Sequence, residues 1–190
     1  AYNSAMMWCD LERAMSALRG LEQYLSPTRP MNAAQYHQAW YRVEVLRGNA
    51  EAAARHALLA LEPASKLGGA FFSMMWRASA AAGLAMVGDH KQCEKLLAEA
   101  WSEADGTVLS GFQAVIELVR AYSALIRAKR EEAHAHIRHM LVLGRRNDSW
   151  RFLQSELTMR EVVLEEALAA GIETEFVRTI VRSFGLKPRR

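Results

Sequence analysis

The densest group of side chains able to do chemistry is EEAHAHIRHM, residues 131–140, in which Glu132, His136 and His139 recur at i, i+4 and i+7. On a helix that spacing places all three on one face, and two imidazoles with a carboxylate are a ligand set for zinc or another transition metal. A helical strip, however, offers its ligands in a line where zinc needs a tetrahedron, and no neighbouring group is spaced to orient the imidazoles. The expectation is therefore a solvated polar face and no metal or other cofactor. The GxxxxGK[ST] loop, the GxGxxG fingerprint, the HExxH helix and the GxSxG elbow are all absent from the sequence, so the common phosphate, dinucleotide, zinc-protease and hydrolase chemistries have no signature here and no enzyme is expected.

The elements that must position these side chains are helices. Apolar residues recur at three and four nearly everywhere, almost no stretch alternates with period two, and proline is confined to positions 27, 30, 63 and 188. Asp10 is placed to cap a helix to about Leu25 whose apolar face is Leu11, Met15, Leu18, Leu21 and Leu25, with SPTRP ending it. Further helices are expected over 32–47, with Tyr36, Ala39, Trp40, Val43 and Leu46 as the packing stripe, over 50–66, and over 71–87. Asp89 then caps a helix carrying Cys93, Leu96, Leu97, Ala100 and Trp101. Helices over 109–128 and 130–143, the latter closing at Gly144, a long one over 149–169 and a short one over 173–184 complete the reading.

Loop signals at Gly48-Asn49, Gly88-Asp89 and Ala128-Lys129-Arg130 stand about forty residues apart, with a fourth at Gly171. A shift of forty superposes Ala53, Cys93 and Ala133, then Ala60, Ala100 and Met140, and, among the large packers, Tyr36, Trp76 and Ile116. Small residues at the first of these sets are what closely packed helix pairs need. The pattern resembles the tetratricopeptide repeat, with a period longer than the family's usual one; a HEAT-like pairing is the other arrangement compatible with this period. The expected fold is all-α, a right-handed superhelical solenoid of antiparallel helix pairs forming a single array over residues 1–188, in approximate units 1–29, 30–68, 69–106, 107–146 and 147–188, with 189–190 as a basic tail.

The same shift aligns polar residues: His37 with Arg77 and Glu117, and Ser73 with Gln113. Allowing three extra residues before Gly171, Gln113 continues to Glu156 and Glu117 to Arg160, with Glu44 and Arg120 a turn further along. In tetratricopeptide stacks the first helix of each pair lines the concave groove, so the resemblance implies that this column reads a protein or small-molecule effector. Every surface helix also needs one wet face, and alternating Arg and Glu favours pairing within the column, at about 0.2–1 kcal/mol per exposed pair.

With 51% hydrophobic and 24% charged residues, the 190-residue chain is long enough to bury a sizeable core. Its net charge of +3 is spread over helices, and Lys187, Arg189 and Arg190 alone form a basic cluster, so nucleic acid is not an expected partner of this segment. Cys9 and Cys93 have no paired spacing, which argues for packing residues in a reducing cytoplasm. No apolar run reaches the length of a membrane span, and AYNSAMMWCD lacks the features of a signal peptide. Of five tryptophans, Trp40, Trp76 and Trp101 fall at core positions, while Trp8 and Trp150 fall at pair boundaries. A fragment end at Trp8 would expose apolar surface and favour self-association.

The segment from Leu141 to Pro188, about a quarter of the chain, carries LGRRNDSWRFL and then EEALAAGIETEFVRTIVRSFGLKP. It resembles the close of the helical-repeat region in MalT-type bacterial transcriptional regulators, signal-transducing ATPases that bind DNA through a LuxR or winged-helix module. The residues that carry the likeness are Ala167, Leu168, Gly171, Ile172, Glu173, Val177, Arg178, Ile180, Val181, Arg182, Gly185, Leu186 and Pro188. The resemblance implies an effector-sensing or protein-interaction scaffold excised from such a regulator, acting through its groove and self-association and reaching DNA only through another domain. The alternative is a free-standing tetratricopeptide adaptor that grips a partner peptide.

Overall fold

The forty-residue spacing of the loop signals is built into the backbone as one repeated helix ending. At Gly48, Gly88, Ala128 and Gly171 the chain takes a positive φ of 74°, 83°, 57° and 67°. The next N–H in each case donates to the carbonyl five residues earlier: Asn49 to Glu44, Asp89 to Leu84, Lys129 to Ala124 and Ile172 to Ala167, at 2.8–3.0 Å. This is the Schellman ending, which satisfies the orphan carbonyls of a helix while reversing the chain. Glycine adopts it freely; Ala128 does so against its Cβ, at roughly 1 kcal/mol.

The structure, a computed structural model, describes residues 11–26, 28–65, 70–105 and 110–186. Those residues form nine α-helices and no strand: α1 (Leu11–Leu21), α2 (Pro30–Leu46), α3 (Ala50–Ser65), α4 (Ala70–Met86), α5 (His90–Ala104), α6 (Gln113–Ile126), α7 (Arg130–Arg145), α8 (Leu157–Ala169) and α9 (Thr174–Ser183). The chain is all-α, as its periodicity requires. The pairs α2–α3, α4–α5 and α6–α7 pack as hairpins, each pair packs on the next, and the alternate helices α2, α4, α6 and α8 also touch one another in order. Among the described residues no helix is long and apolar enough to cross a membrane.

The superposed packing positions lie in the interior except Tyr36, which is half-buried and lines a pocket. Ala53, Cys93, Ala133, Ala60, Ala100 and Met140 are all buried, as are Trp76 and Ile116. Burial pushes the Cys93 thiol up to about 12, as befits a small hydrophobe rather than a nucleophile. α3 and α4 approach closely at Gly83 of α4, where a Cβ would stand 2.8 Å from the Ala54 Cα on α3. Asp89 caps α5 by accepting from the Gln92 N–H at 3.1 Å.

Three expectations are corrected. α1 ends at Leu21 and continues as a 3₁₀ turn, Glu22–Tyr24, so Leu25 does not extend its apolar face; Pro30 opens α2, where a missing N–H is harmless. The expected helix over 149–169 is two elements, a 3₁₀ stretch Arg146–Ser155 and α8, parted at Glu156. Gly144 lies inside α7 instead of ending it. A Cβ there would stand 3.3 Å from that of Trp150, whose ring packs edge-on to Phe184 at 5.5 Å, a contact that a straight helix from Ser149 would carry away. Asp10, Cys9 and Trp8 lie outside the described residues.

Candidate functional site

Between α1, α2 and α4 lies a pocket of about 650 Å³. Leu18 and Leu21 of α1, with Tyr24 and Leu25 of the turn after it, form one wall; Gln35, Gln38, Ala39 and Arg42, at helical spacing on α2, form the floor; Phe72, Met75 and Trp76 of α4 form the opposite wall. Phe72 and Trp76 are stacked, with ring centroids 5.2 Å apart. Leu21 and Tyr24 are 46% and 65% exposed, so the mouth is apolar as well.

A chain of buried hydrogen bonds leaves this floor. Gln38, 7% exposed, donates through Nε2 to Ser79 Oγ at 2.9 Å, and the Ser79 hydroxyl donates to Glu156 Oε1 at 3.2 Å. The Tyr41 hydroxyl donates to the other carboxylate oxygen, Oε2. Burial lifts the Glu156 carboxyl to about 7, against the opposing pull of the Tyr41 and Ser79 hydrogen bonds and the Arg42 charge. One carboxyl thus joins α2, α4 and the start of α8. Three buried polar atoms at the pocket have no hydrogen-bond partner: Gln38 Oε1, Arg42 Nε and Trp76 Nε1. An unpaired buried group costs about 1–3 kcal/mol, so the residues around this cavity carry polar atoms that the fold itself leaves unsatisfied.

A second cluster surrounds Glu117 of α6, which is 2% exposed. It accepts from Arg120 Nη1 at 3.0 Å and from His136 Nδ1 of α7 at 2.7 Å, with His139 Nδ1 at 3.6 Å. Burial works to raise this carboxyl, but the bonds from His136 and Arg120 outweigh it and hold it below the ordinary range. Arg120 also pairs with Glu94 at 2.7 Å and lies over the Trp101 ring at 5.4 Å. Glu132 takes no part: it turns to Arg127 and to Lys129, the latter at 3.4 Å. Glu132 is therefore turned away from His136 and His139, and among the described residues no three His, Cys, Asp or Glu side chains are grouped to hold a metal ion.

The remaining members of the polar column are dispersed. His37 meets His56 of α3, Nδ1 to Nδ1, at 3.2 Å, and burial lowers both imidazoles. Arg77 pairs with Glu99 and Glu103 of α5. Glu44 accepts from Arg47 at 2.8 Å, and Gln113 donates to Asp105 at 3.4 Å. Ser73 is half-buried on α4. Arg160 is buried with its guanidinium 4.2 Å from the Phe184 ring and its Nε unpaired. His37, Arg77 and Glu117 all face the second helix of their own pair, whereas the buried relay Gln38–Ser79–Glu156 faces along the row of alternate helices. Gln38, Tyr41, Arg42 and Ser79 escape a forty-residue alignment because Gln38 and Ser79 are 41 apart; the available signal was polar side chains on otherwise apolar stripes.

In comparisons with protein families, with curated proteins and with solved structures, the chain matches none.

Proposed function

We propose that the chain is an effector-sensing and protein-interaction scaffold, a right-handed tetratricopeptide-like solenoid belonging to a MalT-type bacterial transcriptional regulator, with no catalytic role of its own. The effector binds in the pocket between α1, α2 and α4. The observation that carries this reading is a cavity of about 650 Å³ walled by leucines and the stacked Phe72–Trp76 pair, with Arg42 as the one charged group among its described lining residues. The resemblance of residues 141–188 to the regulator family supplies the biological setting, and the ordered contact of each hairpin with the next supplies the means.

Repeats that touch only their neighbours change curvature through small shifts at each interface, and a ligand that binds one curvature better shifts the population towards it. The relay from Gln38 through Ser79 to Glu156 makes the pocket floor and the start of α8 parts of one hydrogen-bonded unit. Occupancy of the pocket is in this way felt at the other end of the array, where self-association is controlled.

Thermal unfolding of the chain against a library of small metabolites tests the reading. At least one compound is expected to raise Tm, with the shift abolished by Gln38→Leu and kept by Glu131→Gln on the exposed face of α7. A library without any such compound, or a shift indifferent to Gln38→Leu, overturns it.

A further inference from the structure

Three residues around the pocket each carry an unpaired atom that is shut off from solvent. Two are donors, the Arg42 Nε–H and the Trp76 indole N–H, and one is an acceptor, Gln38 Oε1. Gln38 and Trp76 are 7% and 1% exposed, so water reaches neither freely. Among the described residues lining the pocket Arg42 is the one charged group, and no carboxylate shares the cavity with it. Arg42 acts on Glu156 through charge without a hydrogen bond, and a carboxyl lifted to about 7 is only partly ionised at neutral pH, so the guanidinium is incompletely neutralised from within. A half-buried cation beside apolar walls attracts an anion more strongly than one in water does.

The walls set the rest of the ligand. Leu18, Leu21 and Leu25 face the stacked Phe72–Trp76 pair and Met75, an environment for a flat or compact apolar body. The volume of about 650 Å³ suits a molecule of metabolite size.

We propose that this pocket binds small carboxylic acids with a ring-bearing apolar body, the acid group accepting from Arg42 and the body lying between the leucines of α1 and the Phe72–Trp76 pair. The proposal rests on the effector-site reading given above. It deepens that reading by naming the class of ligand.

Three probes of one shape separate charge from shape: 4-phenylbutyrate, 4-phenylbutanamide and 4-phenylbutylamine. Each is titrated into the ¹⁵N-labelled full chain at neutral pH while the Trp76 indole resonance, assigned by its loss in Trp76→Phe, is followed. The acid is expected to bind about tenfold more tightly than the amide, as a hydrogen bond to a charged partner should, and the amine is expected not to move the resonance. In Arg42→Met the acid falls to the affinity of the amide while the amide keeps its own; should that variant unfold, Arg42→Gln makes the same comparison. Equal binding of acid and amide, or an acid preference that survives loss of Arg42, overturns the ligand class and leaves the pocket standing. If none of the three moves the Trp76 resonance, ligand class and pocket fall together.

Discussion

Tyr41 of α2 donates its phenolic hydrogen to Glu156, a residue 115 positions away that stands at the start of α8. Both are buried, and the bond ties the second described helix to the eighth. With Ser79 on the other oxygen, Glu156 is held by α2 and α4 at once.

That geometry has a pH signature. Burial raises the Glu156 carboxyl from 4.5 to about 7 in the folded chain, so the folded state holds the proton more tightly than the unfolded one. Its contribution is fully present below about 4.5 and is lost as pH rises to about 7, a fall of roughly 3 kcal/mol across that window. Glu117, held low, acts below this window and with opposite sign: its stabilisation is lost as pH falls. His37 and His56, lowered by burial, overlap the window, so the difference between two proteins is the informative quantity. Urea unfolding from acid to neutral pH is expected to show that Glu156→Gln gains on the wild type as pH rises. A constant difference would mean that Glu156 does not titrate there.

The repeated helix endings give a second prediction. Ala128 holds a φ of 57° where its counterparts are Gly48, Gly88 and Gly171. Ala128→Gly should stabilise the chain by about 1 kcal/mol by relieving the Cβ, and Gly88→Ala should destabilise it by a similar amount. Opposite signs at equivalent positions, read from urea midpoints, check that the endings are equivalent; equal signs would mean that local packing, not φ, decides.

Much of this architecture is legible in the residues because it is local. Gly48, Gly88 and Gly171 announce their turns, Asp89 announces a cap, and alanines at fixed offsets announce close packing. The break at Glu156 is not local: its carboxyl is held by Tyr41 and Ser79, 115 and 77 positions away. The pocket escapes for the same reason. Gln38, Arg42 and Trp76 look like members of helical stripes, and only the packing of α1, α2 and α4 brings them around one cavity. The column His37, Arg77 and Glu117 was visible because its period matches the repeat, yet each member is occupied by the neighbouring helix.

Close packing at Gly83 yields a third prediction. A methyl group there meets the Ala54 backbone at 2.8 Å, and backbone cannot rotate aside. Gly83→Ala should therefore destabilise by about 1–3 kcal/mol by forcing α3 and α4 apart, despite alanine's better helix propensity. The measurement is the change in unfolding free energy, with Gly20→Ala, where nothing stands within 4 Å of the added Cβ, as the control expected to stabilise.

Glu117 and Glu132 are both acidic partners of cationic side chains near the same face of α7, but their surroundings differ. Glu117 is enclosed and accepts from Arg120 and His136, while the side chain of Glu132 is 38% exposed beside Arg127 and Lys129. Removing one partner of a buried pair strands the others, which sets the expected loss for Glu117→Ala at about 3 kcal/mol. The exposed pair is screened by solvent, so Glu132→Ala should cost below about 1 kcal/mol. Added salt should shrink the small effect and leave most of the large one. Equal losses for the two variants would show that burial of Glu117 does not govern this cluster.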